Sequence, residues 1–147
     1  MEMYLSKMKL KQVSLEQINA LNKGTLMEQL GIECMEIGDD YLVATMPVDH
    51  RTHQPAGLLH GGASAALIET IGSMGSVLLI DISKQSPVGL EINANHVGGM
   101  KSGSVRAIGK IVHAGSRTHV WQVDIFDQET EKLICTGRLT VMIIDKN

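Results

Sequence analysis

Aromatic residues are nearly missing from this chain: one Trp, two Tyr and one Phe among 147 residues. A core built without them has to be filled by aliphatic side chains and by the nine Met. Cysteine is equally sparse. Cys34 and Cys135 stand far apart, which fits neither a disulfide framework nor a zinc site and leaves two buried, reduced thiols as the expectation. Positive charge is not in excess, with 13 Lys and Arg against 16 Asp and Glu for a net charge of -3. Without a basic run or an aromatic ladder, nothing points to a nucleic-acid partner. Residues 1–12 mix Met, Leu and Lys with no continuous apolar run, so no export signal is expected and the cytoplasm is the expected location. One stretch, Gly61 to Ile80, is long enough to span a bilayer. It carries Glu69 at its centre and four Gly (Gly61, Gly62, Gly72, Gly75), and the charge argues against insertion. A buried helix in a soluble fold is expected instead. No repeat or low-complexity linker divides the chain, so a single domain over 1–147 is expected, with 1–12 as a flexible extension.

What is present organises around that helix. Ser14 before Leu15-Glu16-Gln17 has the form of a capping box, predicting a short helix to about Leu21 that Gly24 ends. Thr25–Leu30 predicts another helical turn. Ile32–Ile37 and Tyr41–Val48 predict a hairpin turning at Gly38-Asp39-Asp40, and a polar loop over 49–59 leads into the helix. Four further strands are predicted over about 88–97, 103–113, 117–127 and 132–144. Their apolar residues alternate: Leu90, Ile92, Ala94 and His96; His119, Trp121, Val123 and Ile125; Leu133, Cys135, Leu139, Val141 and Ile143. Two strands, one long helix, then four strands is an α+β pattern, satisfied by a curved antiparallel sheet wrapped round the helix. The other side of those strands carries Val120, Phe126, Ile134, Met142 and Ile144, an apolar surface that a second subunit is expected to cover.

Glu69 is the residue composition does not explain. At helical spacing it shares a face with Gly62, Ala65, Ala66, Gly72, Ser73 and Ser76, small residues that let a neighbour approach closely. A partly desolvated carboxylate there becomes a stronger base, although structural carboxylates outnumber catalytic ones. His60-Gly61-Gly62 stands where loop becomes helix. The first amides of a helix have no intrahelical acceptor and, with the dipole behind them, can hold an oxyanion. The helix thus offers an oxyanion site and, two turns on, a carboxylate to one substrate carbonyl. The plainer alternative is a tight helix start with His60 as cap. A lipase-like nucleophile elbow at Ser64 is excluded because that Ser falls inside the helix. His50 and His53 lack further ligands for a metal.

Taken together, Arg51-Thr-His-Gln-Pro-Ala-Gly-Leu-Leu-His-Gly-Gly-Ala-Ser, Glu69-Thr-Ile-Gly-Ser, Gly89-Leu-Glu-Ile-Asn-Ala-Asn-His-Val and Gly115-Ser-Arg-Thr-His-Val-Trp-Gln-Val resemble the hotdog acyl-CoA thioesterases of the phenylacetate-degradation type. The resemblance runs from about residue 12 to residue 144. Its nearest branches act on 1,4-dihydroxy-2-naphthoyl-CoA in menaquinone biosynthesis or proofread enterobactin synthesis. It implies a hotdog fold with a six-stranded antiparallel sheet, and hydrolysis of an aromatic acyl-CoA without a cofactor. Glu69 is implied as base or nucleophile, the Gly61 amide as oxyanion donor, and Gln54 and His60 as groups placing thioester and water. Ser73 is implied across a subunit interface and Met74 in the acyl pocket. His96 is implied near the acyl group, and Gly89, His96, Val97, Gly115, Ser116 and Arg117 around CoA. Arg117 is suited to a phosphate. Where relatives carry more basic charge this chain reads Gly98-Gly99-Met100-Lys101, leaving Lys101 alone for the nucleotide phosphate. That departure favours the alternative of an acyl-carrier protein as partner. A non-catalytic acyl-CoA-binding module is the alternative of another class. A homodimer as the catalytic unit, paired into a homotetramer, is expected.

Overall fold

A computed structural model describes residues 9–147. Its first element, helix α1 (Leu15–Ala20), starts as the capping box predicts: the Gln17 amide donates to Ser14 Oγ at 3.1 Å and the Ser14 amide to Gln17 Oε1 at 3.0 Å. A short α2 (Leu26–Leu30) ends on Gly31, whose φ of 69° is the left-handed cap conformation. The hairpin β1 (Glu33–Ile37) and β2 (Tyr41–Pro47) follows, then the long helix α3 (Gly61–Val77). Four strands complete the chain: β3 (Gln85–His96), β4 (Ser104–Ala114), β5 (Thr118–Asp127) and β6 (Leu133–Asp145). They form one antiparallel sheet in the order β1-β2-β4-β5-β6-β3. This is the six-stranded sheet with one long helix expected from the sequence.

The helix stops three residues short of the predicted end. Beyond Val77 the chain turns at Asp81, whose side chain accepts from the Ser83 amide and whose carbonyl accepts from Lys84 and Gln85. Strand β3 starts earlier than predicted and includes Pro87. An edge strand tolerates Pro because one row of its N–H groups has no ladder partner, and β3 pairs only with β6.

Helix and sheet meet through glycine. A Cβ at Gly75 would run into the Trp121 ring, one at Gly72 into Leu139, and one at Gly109 into Ile71. Removing those carbons lets α3 settle onto the sheet, and Leu67, Ile68, Ile71, Trp121, Val123, Ile125 and Leu139 are fully buried. Among the described residues the methionines contribute less than expected: Met46 and Met100 join the core, while Met35 and Met142 are exposed.

Two bulges overturn parts of the alternation. In β6, Cys135, Leu139, Val141 and Ile143 face the core as predicted, but a register shift opposite Ile125/Phe126 turns Ile134 inward and Leu133 outward. Ile134 therefore leaves the expected outer patch. A second shift between Gly89 and Glu91 breaks the β3 row, and Leu90 and Ile92 are exposed. The extension expectation also needs correction where it can be read. Residues 1–8 lie outside the described residues, but Leu10 is buried and its amide donates to the Asp39 carbonyl at 2.7 Å, with the Lys11 amide on the Leu78 carbonyl at 3.0 Å. Both cysteines are buried and free, and burial raises both thiols.

Candidate active site

The small-residue face read from the sequence is really two faces. Gly72 and Ser76 turn toward the sheet, whereas Ala66, Glu69, Thr70, Ser73, Met74 and Val77 turn toward α1 and α2. Between them lies a cavity of about 620 Å³ with a mostly apolar wall, to which Ile18, Leu21, Leu26 and Met27 contribute. None of those four, nor Thr70, is a site residue in the sequence reading; Thr70 directly follows Glu69, so helical spacing carries no signal for it. Glu69 is half-buried on this wall, and no ion pair reaches it among the described residues. Burial pushes its carboxyl above the usual range. Its Oε1 lies against Gly89 of β3 so closely that any side chain there would collide with it. Asn22 also borders the cavity and is 6% exposed; its Nδ2 donates to the Ile32 carbonyl at 2.9 Å. Its Oδ1 is the single buried side-chain nitrogen or oxygen without a hydrogen-bond partner among the described residues.

His60 caps α3, its Nδ1 accepting from the Gly62 amide at 2.8 Å and its own amide donating to the Thr52 carbonyl at 2.8 Å. That leaves the Gly61 N–H, the first of the helix, with no acceptor among the described residues. The His96 ring sits beside it, Nε2 2.8 Å from where a Gly61 Cβ would stand. Gln54 closes its own loop: its amide donates to the Leu58 carbonyl and its Oε1 accepts from the Ala56 amide.

Within one chain the expected constellation does not converge. Gly61 and Glu69 are separated by two turns, about 12 Å along the axis at 1.5 Å per residue. The Gly61 N–H also points outward past the helix start, away from Glu69. One helix therefore does not present both groups to one carbonyl. The remaining substrate residues divide similarly. Gly115, Ser116 and Arg117 form the β4–β5 turn at the Gly89 end of the sheet, since His119 and Gly89 both pair with Val141. His96, Val97 and Lys101 lie at the opposite end, near Cys135. The two ends of β3 from Gly89 to His96 are about 23 Å apart at strand rise. Lys101 borders a polar hollow of about 610 Å³ together with Asp127 and Glu129, carboxylates that disfavour a phosphate. No cluster of metal-ligating side chains occurs among the described residues, nor any helix long and apolar enough to cross a membrane.

A capped helix carrying a desolvated carboxylate over an apolar cavity, inside a sheet of this order, defines a class. Residues 56–134 match the thioesterase superfamily, and the chain belongs to that family as a thioesterase of the hotdog fold. It is 51% identical over 134 residues to 1,4-dihydroxy-2-naphthoyl-CoA hydrolase of Escherichia coli, covering 91% of this chain and 97% of that protein. It is 48% identical over 132 residues to the proofreading thioesterase EntH of Cronobacter turicensis, covering 90% and 95%. The crystal structure of a mutant of thioesterase PA1618 from Pseudomonas aeruginosa superposes with a TM-score of 0.91 at 44% identity, covering 95% of this chain and 99% of that one.

Proposed function

We propose that this thioesterase hydrolyses an aromatic acyl-CoA, of the kind represented by 1,4-dihydroxy-2-naphthoyl-CoA or a benzoyl-CoA, to the free acid and CoA. The observation that carries this reading is Glu69, a carboxylate raised in pKa by burial on the wall of an apolar cavity. Asn22 Oδ1 supports a ring hydroxyl, since the buried acceptor lacks a donor. Glu69 acts in one of two ways. As base it takes a proton from water; the hydroxide adds to the thioester carbon, and collapse breaks the C–S bond. The leaving thiolate then takes the proton back from Glu69. As nucleophile it forms a mixed anhydride with loss of the thiolate, and water cleaves the anhydride. In both, the Gly61 amide stabilises the oxyanion, and Gln54 and His60 place the thioester and water. No cofactor or metal enters either route.

The separation of Gly61 from Glu69 makes a second subunit part of the reading. Strand β3 is a twelve-residue edge with Val88, Leu90 and Ile92 exposed, a surface that soluble proteins cover. Antiparallel pairing of β3 with its copy, about a two-fold axis through Asn93, sets Gly89 opposite the partner's His96 once the extra residue of the bulge at Leu90 is counted. Glu69 of one chain then meets the partner's Gly61 amide, and Ser73, one turn from Glu69, faces the same junction. The Gly115–Arg117 turn likewise approaches the partner's His96 and Val97, so the divided CoA residues come together. Two such dimers form the tetramer, in the cytoplasm.

Thiol release from benzoyl-CoA and from a panel of hydroxylated aryl-CoAs tests the reaction; no release from any of them would overturn it. The acidic surroundings of Lys101 favour one second reading, proofreading of an acylated carrier protein, which presents only the pantetheine arm. A faster rate on the acylated carrier than on the matching CoA ester would establish it. Arg117→Ala is expected to raise KM for benzoyl-CoA about tenfold with a smaller change in kcat, the signature of a remote phosphate contact. The same substitution should barely affect a benzoyl-pantetheine thioester; equal losses on both would remove Arg117 from phosphate binding.

A further inference from the structure

Gly89 is a glycine that its own backbone does not require. Among the described residues Gly24, Gly31, Gly57 and Gly103 are the glycines with positive φ, so Gly89 holds strand geometry that any residue adopts. It pairs with Val141, which is fully buried, and directly opposed residues of an antiparallel ladder share a face. A side chain at this position would therefore point toward α3. Glu69 stands there. A Gly89 Cβ would lie 2.2 Å from Glu69 Oε1, 3.2 Å from its Cδ and 3.4 Å from its Oε2, the three nearest atoms beyond the chain neighbours. The bulge that follows keeps the same side clear: Leu90, the extra residue, is exposed, and the next inward residue is Ile92, opposite Leu139.

Packing is what places this carboxylate. Neither a hydrogen bond nor an ion pair reaches it among the described residues. A glutamate turns about three side-chain torsions, so without a polar partner its oxygens stand where the surrounding surface leaves room. The room here is the bare backbone of β3 at Gly89, on the edge strand of the sheet.

We propose that Gly89 is a positioning residue for the reaction: its missing side chain leaves the place on β3 where the Glu69 carboxylate stands to meet the thioester. This rests on the chemistry assigned to Glu69 above, and it differs from the CoA contact that the resemblance implies for Gly89. A methyl group at this position takes the space of Glu69 Oε1, which must retreat by about 1 Å. Because Oε1 is the free end of a flexible side chain, it moves without disturbing the sheet.

Gly89→Ala is expected to lower kcat about tenfold to a hundredfold, the scale of displacing a catalytic group by about 1 Å, with KM for benzoyl-CoA nearly unchanged. Glu69→Asp supplies the cross-check. Aspartate keeps a carboxylate but withdraws it by about 1.5 Å, one carbon–carbon bond, clear of the added methyl. In that slower background Gly89→Ala should change kcat by less than about threefold. An equal fall in both backgrounds would assign Gly89 to the substrate or the fold. A raised KM with native kcat would return it to CoA, and native kinetics would leave it no role; each of the three overturns the proposal. Crystallography reads the placement without activity: in Gly89→Ala the Glu69 carboxylate should be found turned away from β3, and one in its native position would overturn the proposal. Should Gly89→Ala fail to fold, the double variant with Glu69→Asp is expected to fold, and its failure as well would assign Gly89 to the fold instead. Glu69→Gln separates the two readings. Near-native turnover there removes the Glu69 chemistry itself, whereas an inactive Glu69→Gln beside a native Gly89→Ala removes this proposal alone.

Discussion

Glu69→Gln is expected to lower thioester hydrolysis by about a hundredfold or more, the scale for losing a positioned acid–base group. The change keeps shape and volume on the cavity wall and removes only the basic oxygen. A folded variant with near-native turnover would end the proposed chemistry in both its forms. The pH dependence carries the same information. Because burial raises the carboxyl, the active carboxylate should form only above the ordinary glutamate range, and kcat/KM should fall as pH drops through that raised value. The linkage to stability has the opposite sense. A folded-state pKa above the unfolded one gives stability that is complete below the unfolded value and is lost as pH rises through the folded value. At neutral pH the Glu69 carboxylate therefore costs stability, and Glu69→Gln should melt no lower than the native protein while being nearly inactive. Thermal melts at neutral and acidic pH check this, and a lower melting temperature for the variant at neutral pH would mean that Glu69 serves the fold.

The capping box at Ser14 and the hairpin turn after Ile37 were legible because their causes are local: a side chain three residues from an amide, and a Gly-Asp-Asp turn between alternating strands. The alternation of β5 was legible for the same reason, since one face of that strand meets the helix along its length. Register shifts were not. Nothing near Leu90 or Ile134 in sequence announces a bulge, and each moves the apolar residues around it to unexpected faces. The long helix shows the same division. Its spacing announced Glu69 among small residues, but which of those residues face the sheet depends on Trp121 and Leu139, about fifty to seventy residues away. The contact between Glu69 and Gly89 depends on β3 returning to the far edge beside β6, a crossover that local pattern does not encode. The distance between Gly61 and Glu69, by contrast, followed from helix rise alone; what needed the structure was the direction in which each group points.

Gly61→Pro is expected to remove about a hundredfold to a thousandfold of the rate, because it deletes the proposed oxyanion donor. Gly61 is the first residue of α3, a position proline favours, and His60 before it has φ -71° and ψ 129°, the extended conformation a following proline requires. The added ring carbons press on the His96 side chain, so Gly61→Ala, which adds a Cβ there but keeps the N–H, is the control and should retain far more activity. Gly61→Pro and Glu69→Gln then ask where the two groups meet. If each site combines Glu69 of one chain with Gly61 of its partner, a mixed dimer holds one doubly damaged site and one intact site. Random pairing makes half of the dimers mixed, and each has one working site of two, so co-expressed dead variants should recover about a quarter of native activity. If each site draws both groups from one chain, no pairing rebuilds it and the mixture stays inactive. Light scattering on the same sample should report about four times the 15.9 kDa chain mass, or twice it if only the catalytic dimer persists. An inactive mixture of confirmed mixed dimers, or a native protein active as a monomer, would refute the shared site.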